Sequence, residues 1–203
     1  MGQRSILITG YSAGGIGHAF VKEFHSRRLK VFAMAQSLRN GSKSSQRLAG
    51  VKLLKLDVTD IESIWSTRNE VASLIGGKLD ILVNNAPFLE VNYFAPMSMV
   101  KEFLPLLLAS DDACIVQTSS IGGFVHFPFN GAYNMSKSAS NTFTDALGIE
   151  LDPFEYKCDD FLQLVTGAVN SNIHRTRYLS DNSLYKPMER LAVRRQIGMT
   201  DAN

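Results

Sequence analysis

The strongest constraint on the fold is the alternation of short, continuously apolar runs with longer segments of helical periodicity. The runs are SILITG, KVFAMA, VKLLKLDV, LDILVNNA, ACIVQTSS and FLQLVTG. Between them apolar residues recur at helical spacing, as Phe20, Val21 and Phe24 do after the first run. Strands that are apolar throughout are typical of parallel sheets covered on both faces by crossover helices. The sequence therefore predicts a single, doubly wound α/β domain with a six-stranded parallel sheet.

The composition fits one globular domain and disfavours several other classes of protein. Of the 203 residues 45% are hydrophobic and 20% are charged, and the net charge is +2. Such a weak basic balance gives no reason to expect a nucleic-acid partner. Cys114 and Cys158 are far apart, and the four histidines show no ligand spacing, so we expect neither a disulfide framework nor a metal site. We expect a cytoplasmic protein, because no signal peptide and no membrane-spanning apolar run occurs.

A glycine-rich turn follows the first apolar run, in the segment TGYSAGGIGHAF. Its glycines at positions 10, 15 and 17 stand between a predicted strand and a predicted helix. Glycine has no Cβ, so such a loop lets a pyrophosphate approach the backbone amides at the positive end of a helix. This context predicts a dinucleotide-binding turn, and a merely tight turn is the alternative.

Tyr133 and Lys137, in the segment GAYNMSKSAS, have the spacing that places two side chains on one face of a helix. An ammonium group beside a phenol stabilises the phenolate, which makes the phenol a better proton donor. On its own the spacing also fits an ordinary turn of helix, because the chain has six tyrosines.

Together these segments resemble the short-chain dehydrogenase/reductase family, whose Rossmann domain binds NAD or NADP. The segments LDVTD, NNA and TSS follow the glycine turn in the order that the family has, and the resemblance covers about residues 6–191. Four residues separate the first two glycines of the turn, where the family usually has three. In this the chain is similar to fungal reductases of the 1-acyldihydroxyacetone phosphate type. The resemblance implies a Rossmann-type fold.

The resemblance also implies how the chain would reduce a carbonyl group with hydride from nicotinamide. Tyr133 would donate the proton to the carbonyl oxygen, and Ser120 would hold the same oxygen by a hydrogen bond. Lys137 would bind the ribose next to the nicotinamide, and Asn92 would complete the catalytic tetrad by helping to hold a proton-relay water. As alternatives, Ser120 fits a simple strand-end hydroxyl and Asn92 fits a solvated helix residue.

A further set of residues would hold the cofactor. Besides Tyr133 and Lys137, these are Thr9, Gly10, Gly15, Ile16, Gly17, Gln36, Arg39, Asp57, Val58, Asn85, Val169 and Ser171. Asp57 would reach the adenine, and Val169 would pack near the carboxamide. No acidic residue follows the second apolar run, where one would favour NAD. Gln36, Ser37 and Arg39 would instead bind the 2′-phosphate, so we expect NADPH to be preferred over NADH.

The expected function is that of an NADPH-dependent oxidoreductase that reduces a ketone in a lipid-like substrate such as 1-acyldihydroxyacetone phosphate. Steroid-like or polyketide ketones are alternative substrates. The alternative function is that of a non-catalytic Rossmann remnant that binds dinucleotide, or no ligand, and works through a partner. The expected partners are a small-molecule carbonyl substrate and a second copy of the chain. The resemblance adds the periphery of the endoplasmic reticulum or of lipid droplets to the expected cytoplasmic location.

Two stretches depart from the family pattern. Pro87 replaces the glycine of N-N-A-G, and Asn92 follows Asn85 by only seven residues. We therefore expect that Asn92 cannot lie on a full-length helix and that activity is low. Before the last apolar run, EYKCDD adds polar residues that the family lacks.

The predicted domain divides into three parts. The cofactor half comprises residues 1–90, the catalytic half residues 91–170, and a partial substrate lid residues 171–203. The chain ends soon after the lid-like segment NSLYKP, before the last strand of the family. We therefore expect one edge of the parallel sheet to be exposed.

Overall fold

All six predicted strands form, and they lie in one parallel sheet. A computed structural model describes residues 3–38, 50–85, 89–128, 130–152, 161–167, 169 and 182–188, with the backbone alone of residues 89–93 and 161. The strands are β1 (Ser5–Ile8), β2 (Lys30–Ala35), β3 (Lys52–Lys55), β4 (Ile81–Asn84), β5 (Cys114–Ser120) and β6 (Phe161–Thr166).

Four helices connect these strands in the described part of the chain. They are α1 (Ile16–Ser26), α2 (Ile61–Ile75), α3 (Leu89–Leu108) and α4 (Gly131–Leu151). A short 3-10 turn, Ile121–Gly123, lies between β5 and α4. The side chain of Asp60 caps α2 by accepting a hydrogen bond from the Glu62 N–H. No helix in the described part of the chain is long and apolar enough to cross a bilayer.

The strand order is β3-β2-β1-β4-β5-β6, and every neighbouring pair is parallel. The chain moves outward from β1 to β3, returns to the centre, and then continues outward from β4 to β6. The order therefore reverses between β1 and β4. In sheets of this kind ligands bind at that switch point, outside the carboxyl ends of the strands.

Two apolar clusters cover the two faces of the sheet. Ile6 and Ile8 of β1 pack with Val21 of α1 on one face. Leu7, which lies between them, packs on the other face with Phe103 of α3 and with residues of α2 and α4. Successive side chains of a strand point to opposite faces, so a strand that is covered on both sides is apolar at every position. The prediction of a doubly wound sheet is confirmed.

The start of α3 corrects one expectation from the sequence. This helix begins at Leu89 and runs for 20 residues, so Asn92 lies in its first turn. The expectation that Asn92 cannot lie on a full-length helix is wrong, because the helix begins only four residues after Asn85. Pro87 and the segment EYKCDD lie outside the described residues.

The partly buried carboxylate of Asp80 connects the amino-terminal ends of neighbouring strands. Asp80 accepts hydrogen bonds from the Ser5 N–H at 2.7 Å, from Ser5 Oγ at 3.0 Å and from Ser110 Oγ at 2.6 Å. It therefore joins the starts of β1 and β4 to the segment before β5. Burial raises the pKa of Asp80, but the hydrogen bonds from Ser110 and Ser5 outweigh it and hold the pKa below its ordinary value.

We expect Asp80→Ala to lower the free energy of unfolding by about 2 kcal/mol at pH 7, because it leaves buried donors without an acceptor. Urea denaturation measures this change. The difference between the variant and the wild type should shrink as the pH falls through the folded-state pKa of Asp80, since a carboxyl group with a lowered pKa stabilises the fold only while it is ionised. Glu23→Ala, which removes an exposed ion pair with Arg27, is the control and should change stability little. Equal effects of the two variants would contradict the role of Asp80.

Candidate cofactor and active site

The glycine turn has the backbone that the sequence predicted. Gly10 and Gly14 have φ angles of 71° and 74°, in the left-handed region that residues with a side chain rarely adopt. Gly15 then forms the amino-terminal cap of α1 in an extended conformation and supplies no side-chain cap. The first amides of α1 are thus presented at the end of β1, where a phosphate group is favoured by the helix dipole.

Gly17 lies where the first turn of α1 meets the loop. A Cβ atom on Gly17 would lie 2.6 Å from the Gly10 carbonyl oxygen and 2.9 Å from Asn85 Nδ2. Real Cβ contacts are essentially never that short, so any other residue would push α1 away from the turn. The glycine is required by backbone packing, in addition to any contact with a cofactor.

Asn85 holds the same turn from the end of β4. Its Nδ2 group donates to the carbonyl oxygens of Thr9 at 3.1 Å and of Gly10 at 3.3 Å. Its backbone N–H donates to Thr9 Oγ1 at 2.9 Å. Asn85 therefore fixes the path of the chain between β1 and the glycine turn.

The ends of β2 and β3 are joined by a hydrogen bond between Gln36 and Asp57. Gln36 Nε2 donates to one carboxylate oxygen of Asp57 at 3.1 Å. The Thr59 hydroxyl and N–H donate to the other oxygen at 2.6 Å and 3.0 Å. The hydrogen bonds from Thr59, and after them the bond from Gln36, hold the pKa of Asp57 below its ordinary value. Asp57 is therefore ionised at neutral pH, and Gln36 presents a neutral amide beside it.

Ser120 and Tyr133 both contact Gly122, in the 3-10 turn after β5. Ser120 Oγ accepts a hydrogen bond from the Gly122 N–H at 3.2 Å. A Cβ atom on Gly122 would lie 3.2 Å from Cε1 of Tyr133, so the phenol ring packs directly on this residue. Tyr133 is 43% exposed whereas Ser120 is buried. The turn thus brings the two hydroxyl side chains to the same place at the carboxyl end of β5.

Lys137 lies one helical turn beyond Tyr133 and is buried. Its Nζ donates a hydrogen bond to the Thr118 carbonyl oxygen of β5 at 2.8 Å. Burial lowers the pKa of Lys137 to about 8, because the charged form is poorly solvated there. The ammonium group remains mostly charged at neutral pH and belongs to a residue one helical turn after the half-exposed Tyr133.

A small cavity of about 10 Å³ lies beside Lys137, and both polar and apolar side chains line it. Asn84 Nδ2, Gln117 Nε2 and Thr118 Oγ1 are buried and have no hydrogen-bond partner among the described residues. All three residues line the cavity, whose volume is that of about one water molecule. Gln117 was not among the predicted site residues, although a glutamine in the middle of an apolar run indicates a buried polar site.

Most of the predicted site residues lie along the carboxyl ends of the strands. At the carboxyl ends of β1 to β5, in that order, lie Thr9 and Gly10, Gln36, Asp57 and Val58, Asn85, and Ser120. On the adjacent helices lie Gly15, Ile16 and Gly17 for α1, Asn92 for α3, and Tyr133 and Lys137 for α4. Val169 is 37% exposed. Arg39 and Ser171 lie outside the described residues.

Comparison with known proteins identifies relatives for this arrangement. The short chain dehydrogenase family pattern matches residues 4–175. Short-chain dehydrogenase virD of Hypocrea virens is 33% identical over an alignment of 206 positions, and the match covers 92% of this chain and 70% of the relative. The NADPH-dependent 1-acyldihydroxyacetone phosphate reductase of Schizosaccharomyces pombe is 32% identical, and the match covers 93% of this chain and 70% of that protein.

The fold also resembles solved structures. A short-chain dehydrogenase from Streptomyces avermitilis superposes with a TM-score of 0.68 at 23% identity, over 82% of this chain and 65% of that chain. At this level of identity the likeness concerns the fold alone. The chain spans about two thirds of the length of these relatives.

We expect Gly17→Ala to weaken NADPH binding at least tenfold, because the new Cβ atom would separate α1 from Gly10 and Asn85. Fluorescence titration with NADPH measures the dissociation constant. Gly131→Ala is the matched control, since a Cβ atom there meets nothing within 4 Å and the residue lies at the start of a helix. NADPH binding by the Gly17 variant that equals binding by the control would contradict the account of the turn.

Proposed function

The chain belongs to the short-chain dehydrogenase/reductase family and is an NAD(P)-dependent oxidoreductase, and we propose that it uses NADPH to reduce a ketone to an alcohol. The observation that carries this proposal is the packing of Ser120 and Tyr133 around Gly122, with the buried ammonium group of Lys137 one helical turn away. These are the proton donor, the oxygen-binding hydroxyl and the cation that such a reduction requires.

The residues at the switch point fit a dinucleotide. The left-handed backbone of Gly10 and Gly14 leads into the uncapped start of α1, which suits a pyrophosphate group. Asp57, with its lowered pKa, would accept a hydrogen bond from the adenine amino group. Lys137 would hold the ribose hydroxyls next to the nicotinamide. When bound, the cofactor supplies the hydride.

Ser120 and Tyr133 would act together on the carbonyl oxygen of the substrate. The Gly122 N–H occupies one acceptor position of Ser120 Oγ, which leaves the Ser120 hydroxyl proton to be donated to the substrate oxygen. Tyr133, whose ring is half exposed, would donate its phenolic proton to the same oxygen as negative charge develops there. The two hydroxyl groups would thus stabilise the oxyanion and convert it to the alcohol.

Lys137 would stabilise the phenolate that remains after the proton transfer. Its pKa of about 8 leaves it charged at neutral pH, and a charge that is shielded from water acts more strongly on its neighbours. The cavity beside Lys137 would hold a water molecule that passes a proton back toward the phenol.

Asn92 would serve this proton relay through its backbone carbonyl. Pro96 stands four residues later and has no N–H, so the Asn92 carbonyl lacks the donor that ordinarily bonds to it within a helix. Pro96 also lines the cavity beside Lys137. A water molecule in the cavity would connect this end of α3 to the ammonium group.

The substrate would be a ketone with an apolar body, such as 1-acyldihydroxyacetone phosphate. Phe124 and Val125 directly follow the 3-10 turn, Met135 lies two residues after Tyr133 on α4, and all three side chains are more than half exposed. The Schizosaccharomyces pombe relative is by its name a reductase of this compound. An acyl chain would be favoured by the exposed apolar side chains.

NADPH would be preferred because the end of β2 carries no acidic residue. Gln36 uses one N–H for Asp57 and keeps a second N–H for the 2′-phosphate. An acid at this position would repel the phosphate and accept hydrogen bonds from the ribose of NAD instead. The Schizosaccharomyces pombe relative is NADPH-dependent by its name.

We expect Tyr133→Phe to lower kcat for 1-acyldihydroxyacetone phosphate by about 10²–10⁴-fold, because the proton donor is lost. The dissociation constant of NADPH, measured by fluorescence, should change by less than about twofold, since the ring still packs on Gly122. NADPH oxidation at saturating substrate measures kcat. Turnover that survives the substitution would contradict the mechanism. Firm NADPH binding by a wild type that turns over no ketone would indicate a protein that binds dinucleotide without catalysis.

We expect Gln36→Arg to increase the preference for NADPH over NADH about tenfold, because a guanidinium group pairs with the 2′-phosphate. Gln36→Asp should reverse the preference. The ratio of the two dissociation constants, measured by fluorescence titration, is the readout. A ratio that is unchanged in both variants would show that Gln36 does not face the 2′ position of the ribose.

A further inference from the structure

A buried polar junction lies one helical turn beyond Lys137. Asn141 of α4 is only 6% exposed. Its Oδ1 atom accepts a hydrogen bond from Ser119 Oγ of β5 and another from Gln163 Nε2 of β6 at 2.7 Å. One side chain of α4 is thereby bonded to both strands on which the helix packs.

The junction adjoins the residues of the proposed active site. Ser119 directly precedes Ser120, and its carbonyl oxygen accepts a hydrogen bond from Thr166 Oγ1 at 3.0 Å, at the end of β6. Asn141 stands four residues after Lys137, on the same face of α4. The position of Asn141 therefore determines where Lys137 lies relative to Ser120.

The helix also lies close against the 3-10 turn at Gly123, which has no side chain. A Cβ atom on Gly123 would lie 2.6 Å from Asn141 Nδ2 and 3.0 Å from the carbonyl carbon of Lys137. Ser138 Oγ donates a hydrogen bond to the Gly123 carbonyl oxygen at 2.8 Å. With backbone against backbone, a small displacement of α4 would move Tyr133 and Lys137 away from the hydroxyl of Ser120.

Asn141 is a poor choice for stability alone. Its Nδ2 group is buried and has no hydrogen-bond partner among the described residues. A buried amide N–H group without a partner destabilises the fold, whereas an apolar side chain of the same size would avoid this penalty. An amide oxygen that accepts two hydrogen bonds fixes the rotation of its helix and its position along the strands, which an apolar contact does not.

We propose that Asn141 is a positioning residue, which sets the height and rotation of α4 through Ser119 and Gln163 and so holds Lys137 and Tyr133 against Ser120. This inference rests on the ketone reduction proposed above. Asn141 itself touches neither the substrate nor the cofactor. It acts by fixing the helix that carries the two side chains that do.

The test is Asn141→Leu, which keeps the side-chain size and removes both hydrogen bonds. We expect kcat to fall at least tenfold and the dissociation constant of NADPH to rise about fivefold, because Lys137 is displaced from the ribose. Thr144→Val is the matched control, since Thr144 is equally buried on α4 but its hydroxyl bonds within the helix, to the Ser140 carbonyl oxygen. The control should leave both constants within about twofold of the wild type.

A double-mutant cycle with Gln163→Leu separates positioning from packing. If the junction positions α4, Gln163→Leu alone should lower kcat about threefold, and its effect should be much smaller in the Asn141→Leu background. A merely structural junction would show this coupling in the free energy of unfolding and leave kcat unchanged. If Asn141→Leu does not fold, the kcat of Gln163→Leu alone tests whether the junction positions α4.

The outcomes distinguish this inference from the proposed function. A wild type without turnover would contradict the reductase proposal, and the NADPH dissociation constants of the variants would then decide the role of Asn141. Values of kcat and of the NADPH dissociation constant for Asn141→Leu that match those of Thr144→Val would overturn the positioning role.

Discussion

The hydrogen bond from Lys137 Nζ to the Thr118 carbonyl oxygen is the interaction on which the site depends. A buried ammonium group is unfavourable unless a fixed acceptor compensates for the lost water. The acceptor belongs to β5, so α4 must lie tightly against that strand. Gly122 and Gly123 permit this approach, because a Cβ atom on either would contact α4 closely. The same approach brings Tyr133 to Ser120, so one packing arrangement assembles the proton donor, the hydroxyl and the cation.

The cofactor half of the site is built in the same way as the catalytic half. In each, a glycine lets two stretches of backbone meet, and an asparagine amide fixes their relative position. Gly17 meets the loop at Gly10, and Asn85 bonds to the carbonyl oxygens beside it. Gly123 meets α4, and Asn141 bonds that helix to β5 and β6. Both glycine–asparagine pairs lie toward the carboxyl ends of the strands, where a parallel sheet of this order binds its ligands.

The sequence predicted the elements of the fold better than the contacts between them. The apolar runs predicted all six strands. The central strands β1, β2 and β4 are buried at nearly every position, so almost every residue there is apolar, whereas three apolar residues of β6 (Leu162, Leu164 and Val165) are exposed. Periodicity does not record which residues meet across long sequence separations, so the bond between Gln36 and Asp57 and the junction at Asn141 emerged only from the structure. The start of α3 at Leu89 was missed because the family pattern, and not the local chain, set the expectation for Asn92. The lowered pKa of Lys137 follows from burial, which the spacing of Tyr133 and Lys137 does not reveal.

The charge state of Lys137 tests the central claim most directly. The midpoint of its titration can be followed by NMR of the side-chain Cε and Nζ in the protein without cofactor, with Lys137→Arg used to assign the signal. The account predicts a midpoint of about 8, because the ammonium group is buried against β5. A midpoint near the value of about 10.4 for a solvated lysine would contradict it. That result would mean that α4 does not hold the ammonium group of Lys137 buried against β5.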